Sequence, residues 1–133
     1  MTAKVLIIDD EKDIRIVLKE IFERADFDVE VAADSNDGMN LLRKGPVDLV
    51  VIDVIMPGKD GVTAAKEIRK EFPATKIIVI SGGGNVGPGD YEPVAIKTTA
   101  YLASAIAAGV DLTLTKPFDR NQLIKAAKEL TGQ

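Results

Sequence analysis

Five polar residues that could do chemistry stand where apolar stretches of the sequence end. Two stretches are followed by carboxylate residues, Asp9-Asp10 and Asp53. A third ends at the hydroxyl residue Ser81, and a fourth is followed by the ammonium of Lys116. If these stretches are parallel strands of one sheet, all five groups meet at the edge where the strands end. Packing alone does not require this convergence, so it is the feature of the sequence that bears on function.

The elements that must position these residues alternate along the chain. Apolar runs predict strands at residues 5–8, 29–31, 49–52, 77–80 and 112–115. Periodic apolar residues predict helices near residues 11–25, 35–44, 62–71 and 94–108, and a last helix that begins near Asp119. This alternation is typical of an α/β domain with a parallel sheet, and we expect residues 1–133 to form a single domain.

Details of the sequence predict which helix faces are buried and where helices end. The carboxylate of Asp119 can cap the last helix, and Gly45-Pro46 is a stop signal for the second. Apolar residues at helical spacing predict the buried faces of the first and last helices, which are Ile14, Val17, Leu18, Ile21 and Phe22 in one, and Leu123, Ile124 and Ala127 in the other.

The composition of the strands predicts their order in the sheet. Three of them, beginning at Val5, Leu49 and Ile77, are continuously apolar and therefore central, whereas the other two alternate and belong at the edges. With right-handed crossovers, the simplest order is 2-1-3-4-5. The winding then reverses between the first and third strands, where ligands of open α/β sheets bind and where the three carboxylates lie.

The composition excludes several kinds of chemistry. The 133 residues include neither cysteine nor histidine, so thiolate zinc sites, thiol nucleophiles and imidazole bases are excluded, and a metal would have oxygen ligands. The net charge of −4 argues against direct binding of nucleic acid. The sequence has neither an apolar run long enough to span a membrane nor a signal peptide, and we expect a cytoplasmic protein.

Three carboxylates at one point repel one another unless a cation compensates them. Mg²⁺ suits such a cluster, and with a lysine and a hydroxyl beside it the group describes a site for phosphoryl transfer. Asp53 is the better candidate for the nucleophile, since it is single and central, while Asp9-Asp10 resembles a metal-holding pair.

Each of these residues also has a simpler interpretation. Asp10 could cap the first helix together with Asp13, and a lone carboxylate such as Asp9 or Asp53 could merely end a strand. Ser81 could belong to a flexible glycine turn, and Lys116 could be a surface lysine before a proline that opens a helix.

The sequence resembles the response-regulator receiver domains of bacterial two-component systems, in particular stand-alone, chemotaxis-regulator-like ones. Asp9-Asp10, Asp53 in the run Asp53-Val54-Ile55-Met56-Pro57, Ser81, and Lys116-Pro117-Phe118 carry this resemblance, which covers essentially the whole chain. It implies a flavodoxin-like three-layer α/β/α fold and Mg²⁺-dependent transfer of a phosphoryl group from the phosphohistidine of a sensor kinase to Asp53.

The same resemblance implies a role for each site residue. Asp10 and Asp53 would ligate Mg²⁺ directly, Asp9 mainly through water, and Ile55 through its backbone carbonyl. Lys116 would pair with the phosphoryl group and Ser81 would bond it in the active state. The protein would not be an enzyme beyond its own phosphorylation and autodephosphorylation.

The sequence departs from the family pattern in three places. Thr113 replaces the usual aromatic residue three positions before the lysine, so signalling through aromatic rotation is in doubt. A glycine- and proline-rich insert at 82–93 and an extended fourth helix lengthen the stretch after Ser81. Neither Ile55 nor Gly83 offers a side chain that could orient an attacking water, which predicts slow self-dephosphorylation.

The expected partners are a sensor histidine kinase or phosphotransfer protein and a downstream effector. In this family the effector usually binds the surface formed by the fourth helix, fifth strand and fifth helix. A phosphorylation-independent interaction module is the main alternative function. A Mg²⁺-dependent aspartyl-phosphate phosphatase usually needs an acid at the position of Ile55, and a flavin-binding flavodoxin needs a hydroxyl-rich loop where Asp9-Asp10 stands.

Overall fold

The structure is a computed structural model, and it describes residues 2–53, 61–81, 107–115 and 119–132. Its strands are β1 (Lys4–Ile8), β2 (Asp28–Ala32), β3 (Leu49–Asp53), β4 (Lys76–Ser81) and β5 (Leu112–Thr115). Its described helices are α1 (Lys12–Arg24), α2 (Ser35–Lys44), α3 (Gly61–Glu71) and α4 (Arg120–Thr131). Up to β4, strands and helices alternate as the sequence predicts, within one or two residues at their ends, and a helix follows β5 as predicted.

The five strands form one parallel sheet in the order β2-β1-β3-β4-β5. Both the parallel pairing and the order confirm the prediction from strand composition. Continuous apolar strands are central because both of their faces are covered, and each side chain of β3 is buried accordingly. The alternating strand β2 is only partly buried and lies at an edge.

Among the described helices, two cover each face of the sheet, which gives the predicted three layers. One face packs against α2 and α3 through side chains that alternate along the central strands: Leu6, Ile8, Val50, Ile52, Ile77 and Val79. The other face packs against α1 and α4 through the intervening side chains: Val5, Ile7, Leu49, Val51, Ile78 and Ile80. All twelve are almost completely buried, so a shift of one residue in any central strand would exchange its two covered faces.

The first helix buries a narrower face than the sequence predicts. Leu18 and Phe22 are buried, and the Phe22 ring meets that of Phe27 edge to face at 5.4 Å. Val17 was expected on this face but is 52% exposed, as is its neighbour Ile16 at 54%. Because α1 crosses the sheet near its edge strand β2, one stripe of its surface contacts the core and Val17 lies beside that stripe.

The ends of the other helices agree with the sequence apart from one glycine. Asp119 caps α4 by accepting a hydrogen bond from the Asn121 amide at 2.8 Å, as predicted. The second helix ends at Gly45, but this glycine is extended (φ −177°) and does not adopt the left-handed form of a glycine cap. Most of the helix predicted over residues 94–108 lies outside the described residues; Ala107 is helical, and Gly109 follows with a φ of 87°.

Candidate functional site

Pairing between β1 and β3 brings the carboxylates of the predicted site together. Ile8 and Ile52 are partners in the parallel register, so the next residues, Asp9 and Asp53, leave adjacent strands at the same level. Carboxylate oxygens of Asp9, Asp10 and Asp53 lie within 4.8 Å of one another. Asp9 is 3% exposed and Asp53 6%, whereas Asp10 is exposed. The cluster therefore opens to solvent on the side of Asp10.

Hydrogen bonds hold Asp9 at three points. Its backbone N–H donates to the carbonyl of Ala32 at 3.1 Å and continues the pairing with β2. Its carboxylate oxygen Oδ1 accepts from the Glu11 amide at 2.9 Å, and its backbone carbonyl accepts from Nη1 of Arg15 at 2.8 Å. The loop between β1 and α1 is thereby fixed just where it presents Asp10.

Asp10 does not cap the first helix, contrary to the simpler interpretation of this residue. The N-cap of α1 is Glu11, and its side chain makes no capping hydrogen bond. The carboxylate of Asp9 accepts the hydrogen bond from the Glu11 amide, as in an Asx turn, and the Asp10 carboxylate lies beside the other two. The placement of Asp10 is accordingly not explained by helix capping.

The described residues place the remaining predicted site residues only in part. Ser81 is the last residue of β4 and pairs with Thr115 of β5, so the chain segments that lead to Ser81 and Lys116 end at the same edge of the sheet. Lys116 itself and Ile55 lie outside the described residues, as do the insert at 82–93 and Gly83. Their roles stay predictions.

Sequence reasoning did not single out Arg15, which contacts the loop of the acidic cluster. The helical pattern of residues 11–25 places it in the first turns of α1, but no spacing rule says that its side chain turns back to a carbonyl six residues earlier. A basic residue shortly after an acidic pair is a weak signal that could have suggested the contact.

The donor set of the cluster fits Mg²⁺. Carboxylate oxygens are the ligands this hard cation prefers, and it commonly takes one or two of them while keeping several waters. Two nearly buried carboxylates supply fixed oxygens, and the exposed side of the cluster leaves room for water or a phosphate oxygen. The described residues that would hold Mg²⁺ are therefore Asp9, Asp10 and Asp53, and which of them bind it directly stays a prediction.

Charged groups at the amino ends of the strands form a different network. Nη2 of Arg69 pairs with Oδ2 of Asp111 at 2.6 Å, and the same oxygen accepts from the Ile77 amide at 2.8 Å. Arg69 also donates to the carbonyls of Pro73 at 2.8 Å and Gly109 at 3.2 Å. This arginine ties the end of α3 to the starts of β4 and β5, far from the acidic cluster along the strands.

Comparison with known proteins identifies the family. The sequence model of the response regulator receiver domain matches residues 5–88. The chain belongs to this family, whose members take part in two-component signalling and generally bind Mg²⁺ at an acidic pocket.

Solved structures with the same fold include several receiver domains. A response regulator receiver domain protein from Clostridium thermocellum is 28% identical, with a TM-score of 0.80, and the match covers 98% of this chain and 94% of that one. The chemotaxis protein CheY4 of Vibrio cholerae is 26% identical (TM-score 0.78), with 98% and 99% covered. NtrX from Brucella abortus is 29% identical (TM-score 0.82), and the match covers 99% of this chain but 27% of NtrX. The chain thus resembles both short receiver proteins and the receiver part of a longer regulator.

The described helices are short or amphipathic. No helix in residues 2–53, 61–81, 107–115 and 119–132 has both the length and the apolar character that a bilayer crossing needs.

Proposed function

We propose that this receiver domain is a phosphorylatable switch that accepts a phosphoryl group on Asp53. The observation that carries the proposal is the meeting of Asp53 with Asp9 and Asp10 at the carboxyl end of a central strand. A nearly buried carboxylate that faces two others is a costly arrangement, and it is useful at a site that binds a cation and handles phosphate.

The chemical step forms one bond and breaks one. A carboxylate oxygen of Asp53 attacks the phosphorus of a phosphohistidine, the P–O bond to Asp53 forms, and the P–N bond breaks as the imidazole leaves and takes up a proton. The chain contains no histidine, so the phosphohistidine belongs to another protein, a sensor histidine kinase or a phosphotransfer protein.

The residues of the chain have distinct roles in this proposal. Asp53 is the nucleophile. Asp10 and Asp53 would hold Mg²⁺ directly and Asp9 mainly through water, with the Ile55 carbonyl as a further ligand. Bound Mg²⁺ supplies charge neutralisation for the phosphoryl oxygens. Lys116 is the ammonium that pairs with the phosphoryl group, and Ser81 is the hydroxyl that bonds it in the active state. The support for Lys116 and Ser81 is their place in the sequence after β5 and at the end of β4.

The output of the switch is a change in binding to a partner protein or onward relay of the phosphate. We propose that an effector binds the surface of the predicted fourth helix (residues 94–108), β5 and the last helix, α4. The support is that β5 pairs with the strand that ends at Ser81 and that α4 follows β5 in the chain. The protein acts on no other substrate, and its chemistry is limited to its own phosphorylation and a slow autodephosphorylation.

Intact mass after incubation with acetyl phosphate and Mg²⁺ tests the proposal. Wild type should gain a single phosphoryl adduct that requires Mg²⁺, and Asp53→Asn should gain none. Asp48→Asn is a matched control, because Asp48 lies at the amino ends of the strands, away from the acidic cluster. An asparagine oxygen at this position can still accept a hydrogen bond from the Lys4 amide. This control should be phosphorylated like wild type.

Absence of an adduct in wild type, or an adduct that persists in Asp53→Asn, would contradict the proposal. If wild type also fails to bind beryllofluoride with Mg²⁺, the phosphorylation-independent interaction module becomes the better account.

A further inference from the structure

The side chain of Arg15 turns back over the start of α1 to the loop that carries the acidic pair. Arg15 is the fourth residue of this helix, yet its Nη1 donates to the carbonyl of Asp9, six residues earlier, at 2.8 Å. We propose that Arg15 is a positioning residue for the metal site. It fixes the peptide between Asp9 and Asp10, so that the Asp10 carboxylate stays beside those of Asp9 and Asp53.

The contact is suited to this role because it acts on the backbone of the loop. A hydrogen bond from a charged guanidinium is shorter and stronger than one from a neutral donor, and it restrains the plane of the peptide whose oxygen accepts it. Asp10 follows that peptide and is exposed, so packing does little to hold its side chain in place. The amide of Glu11 and the carbonyl of Ala32 are backbone partners of Asp9, whereas the bond from Arg15 comes from a side chain that a substitution can remove.

A purely electrostatic role would have the opposite consequence. A positive charge near three carboxylates repels a divalent cation, so its removal alone would tighten Mg²⁺ binding. Removal of an anchor lets the loop and Asp10 move, which weakens Mg²⁺ binding. The direction of the change in affinity therefore distinguishes the two roles.

Three variants separate the anchor from the charge. Arg15→Met keeps the apolar stem and loses both charge and donor, whereas Arg15→Lys keeps the charge and donors that can reach toward the carbonyl. Lys44→Met removes a different cation from the groove of about 470 Å³ that Arg15 and Lys44 both line, between α1, β2 and α2. It therefore reports the effect of losing a positive charge from this groove without losing the hydrogen bond to Asp9.

Calorimetric titration of each metal-free protein with Mg²⁺ tests the inference. Arg15→Met should bind about tenfold more weakly than wild type, the lower end of what loss of a residue supporting metal ligands costs. Arg15→Lys should recover part of this loss, and Lys44→Met should bind as tightly as wild type or slightly more tightly. Relaxation of the Asp10 and Glu11 amides by NMR should show greater mobility in metal-free Arg15→Met, with the rest of its spectrum unchanged.

The inference rests on the proposed function, and the titration distinguishes their failures. If wild type binds Mg²⁺ and Arg15→Met binds equally well or more tightly, Arg15 does not position the site, and the proposed function stands. If wild type does not bind Mg²⁺, the proposed function fails and the inference fails with it. If the Arg15→Met spectrum shows unfolding, the Mg²⁺ affinity of Arg15→Lys decides. If the Lys variant is folded and its Mg²⁺ affinity is still about tenfold below that of wild type, the inference is wrong.

Discussion

Aspartates at the amino ends of the strands differ from those at the carboxyl ends in what they face. Asp48 accepts a hydrogen bond from the Lys4 amide and Asp111 accepts one from the Ile77 amide, both at 2.8 Å, so each extends the pairing of two neighbouring strands. At the other edge, Asp9, Asp10 and Asp53 come within 4.8 Å of one another. The same side chain thus completes the sheet at one edge and forms an anionic cluster at the other.

The charge balance of the two edges differs as well. Arg69 pairs with Asp111 at 2.6 Å and donates to two carbonyls of nearby loops, so the amino-end network contains its own cation. At the carboxyl ends, three carboxylates come together, and this donor set suits an external cation. This contrast indicates that the aspartates at the amino ends of the strands contribute stability and those at the carboxyl ends contribute function. It predicts that removing a carboxylate lowers stability at the amino ends and raises it, in the absence of metal, at the carboxyl ends.

Loss of the Asp111 side chain should have the largest effect on stability. Asp111→Ala leaves Arg69 without its carboxylate and the Ile77 amide without its acceptor, which should lower the free energy of unfolding by about 2 kcal/mol. Urea denaturation measures this change. Asp111→Asn keeps an oxygen acceptor and should lose less; an alanine variant as stable as wild type would show that the amino-end network is not stabilising.

Added bulk at Gly38 should have the next largest effect, at the carboxyl end. A Cβ on this residue of α2 would collide with Cδ1 of Ile8 and lie 2.9 Å from its Cγ1, and Ile8 is fully buried directly before Asp9. Gly38→Ala should cost about 2 kcal/mol through overpacking, and it should also weaken Mg²⁺ binding because the buried Ile8 side chain directly before Asp9 must move.

Gly45→Ala is the matched control for that substitution. Apart from its neighbours in the chain, no atom of the described residues lies within 4 Å of a Cβ at Gly45, and the extended backbone there accepts any residue. This control should leave both unfolding and Mg²⁺ binding nearly unchanged. If Gly38→Ala behaves in the same way, the close approach of α2 to β1 does not constrain the site.

The smallest effect should come from an ion pair outside both edges. Arg43 of α2 holds Glu71 of α3 through hydrogen bonds of 2.8 and 3.1 Å, and these lower the pKa of the Glu71 carboxyl. Because the pKa of Glu71 is lower in the folded state, the ion pair contributes its full stabilisation at pH values above the unfolded-state pKa of this carboxyl. This stabilisation is lost as the pH falls through the folded-state pKa.

Denaturation of wild type and Glu71→Gln at neutral and acidic pH, with and without added salt, checks this expectation. The pair is exposed, so the difference should be slight at neutral pH, smaller in high salt and absent in acid. A difference that grows as the pH falls would have the wrong sign for a carboxylate stabilised by Arg43.

The sequence predicted the backbone that forms the site because the signals there are strong. Fully apolar strands such as β1 and β3 must be central, and their register follows from the lengths of the apolar runs that end at Asp9 and Asp53. The strand order and the meeting of the carboxylates follow from these two facts together with right-handed crossovers.

Features that depend on the reach of long side chains could not be predicted from the sequence. Arg15 and Arg69 each lie on a helix, at positions that nothing in the sequence pattern sets apart. The folded loops around a flexible guanidinium decide which carbonyl it contacts. Val17 shows the limit of helical periodicity, because a helix that packs on the sheet through one stripe leaves the neighbouring apolar position exposed.

Urea unfolding of wild type and Asp53→Asn, each without Mg²⁺ and at saturating Mg²⁺, tests the central contrast most directly. Without metal, Asp53→Asn should be more stable by about 1 kcal/mol, since like charges at this separation repel by that amount even in water. With Mg²⁺, wild type should gain stability and the variant should gain little, so that their order reverses. A variant that is less stable without metal, or that gains as much from Mg²⁺ as wild type, would contradict the account of the carboxyl edge as a cation site.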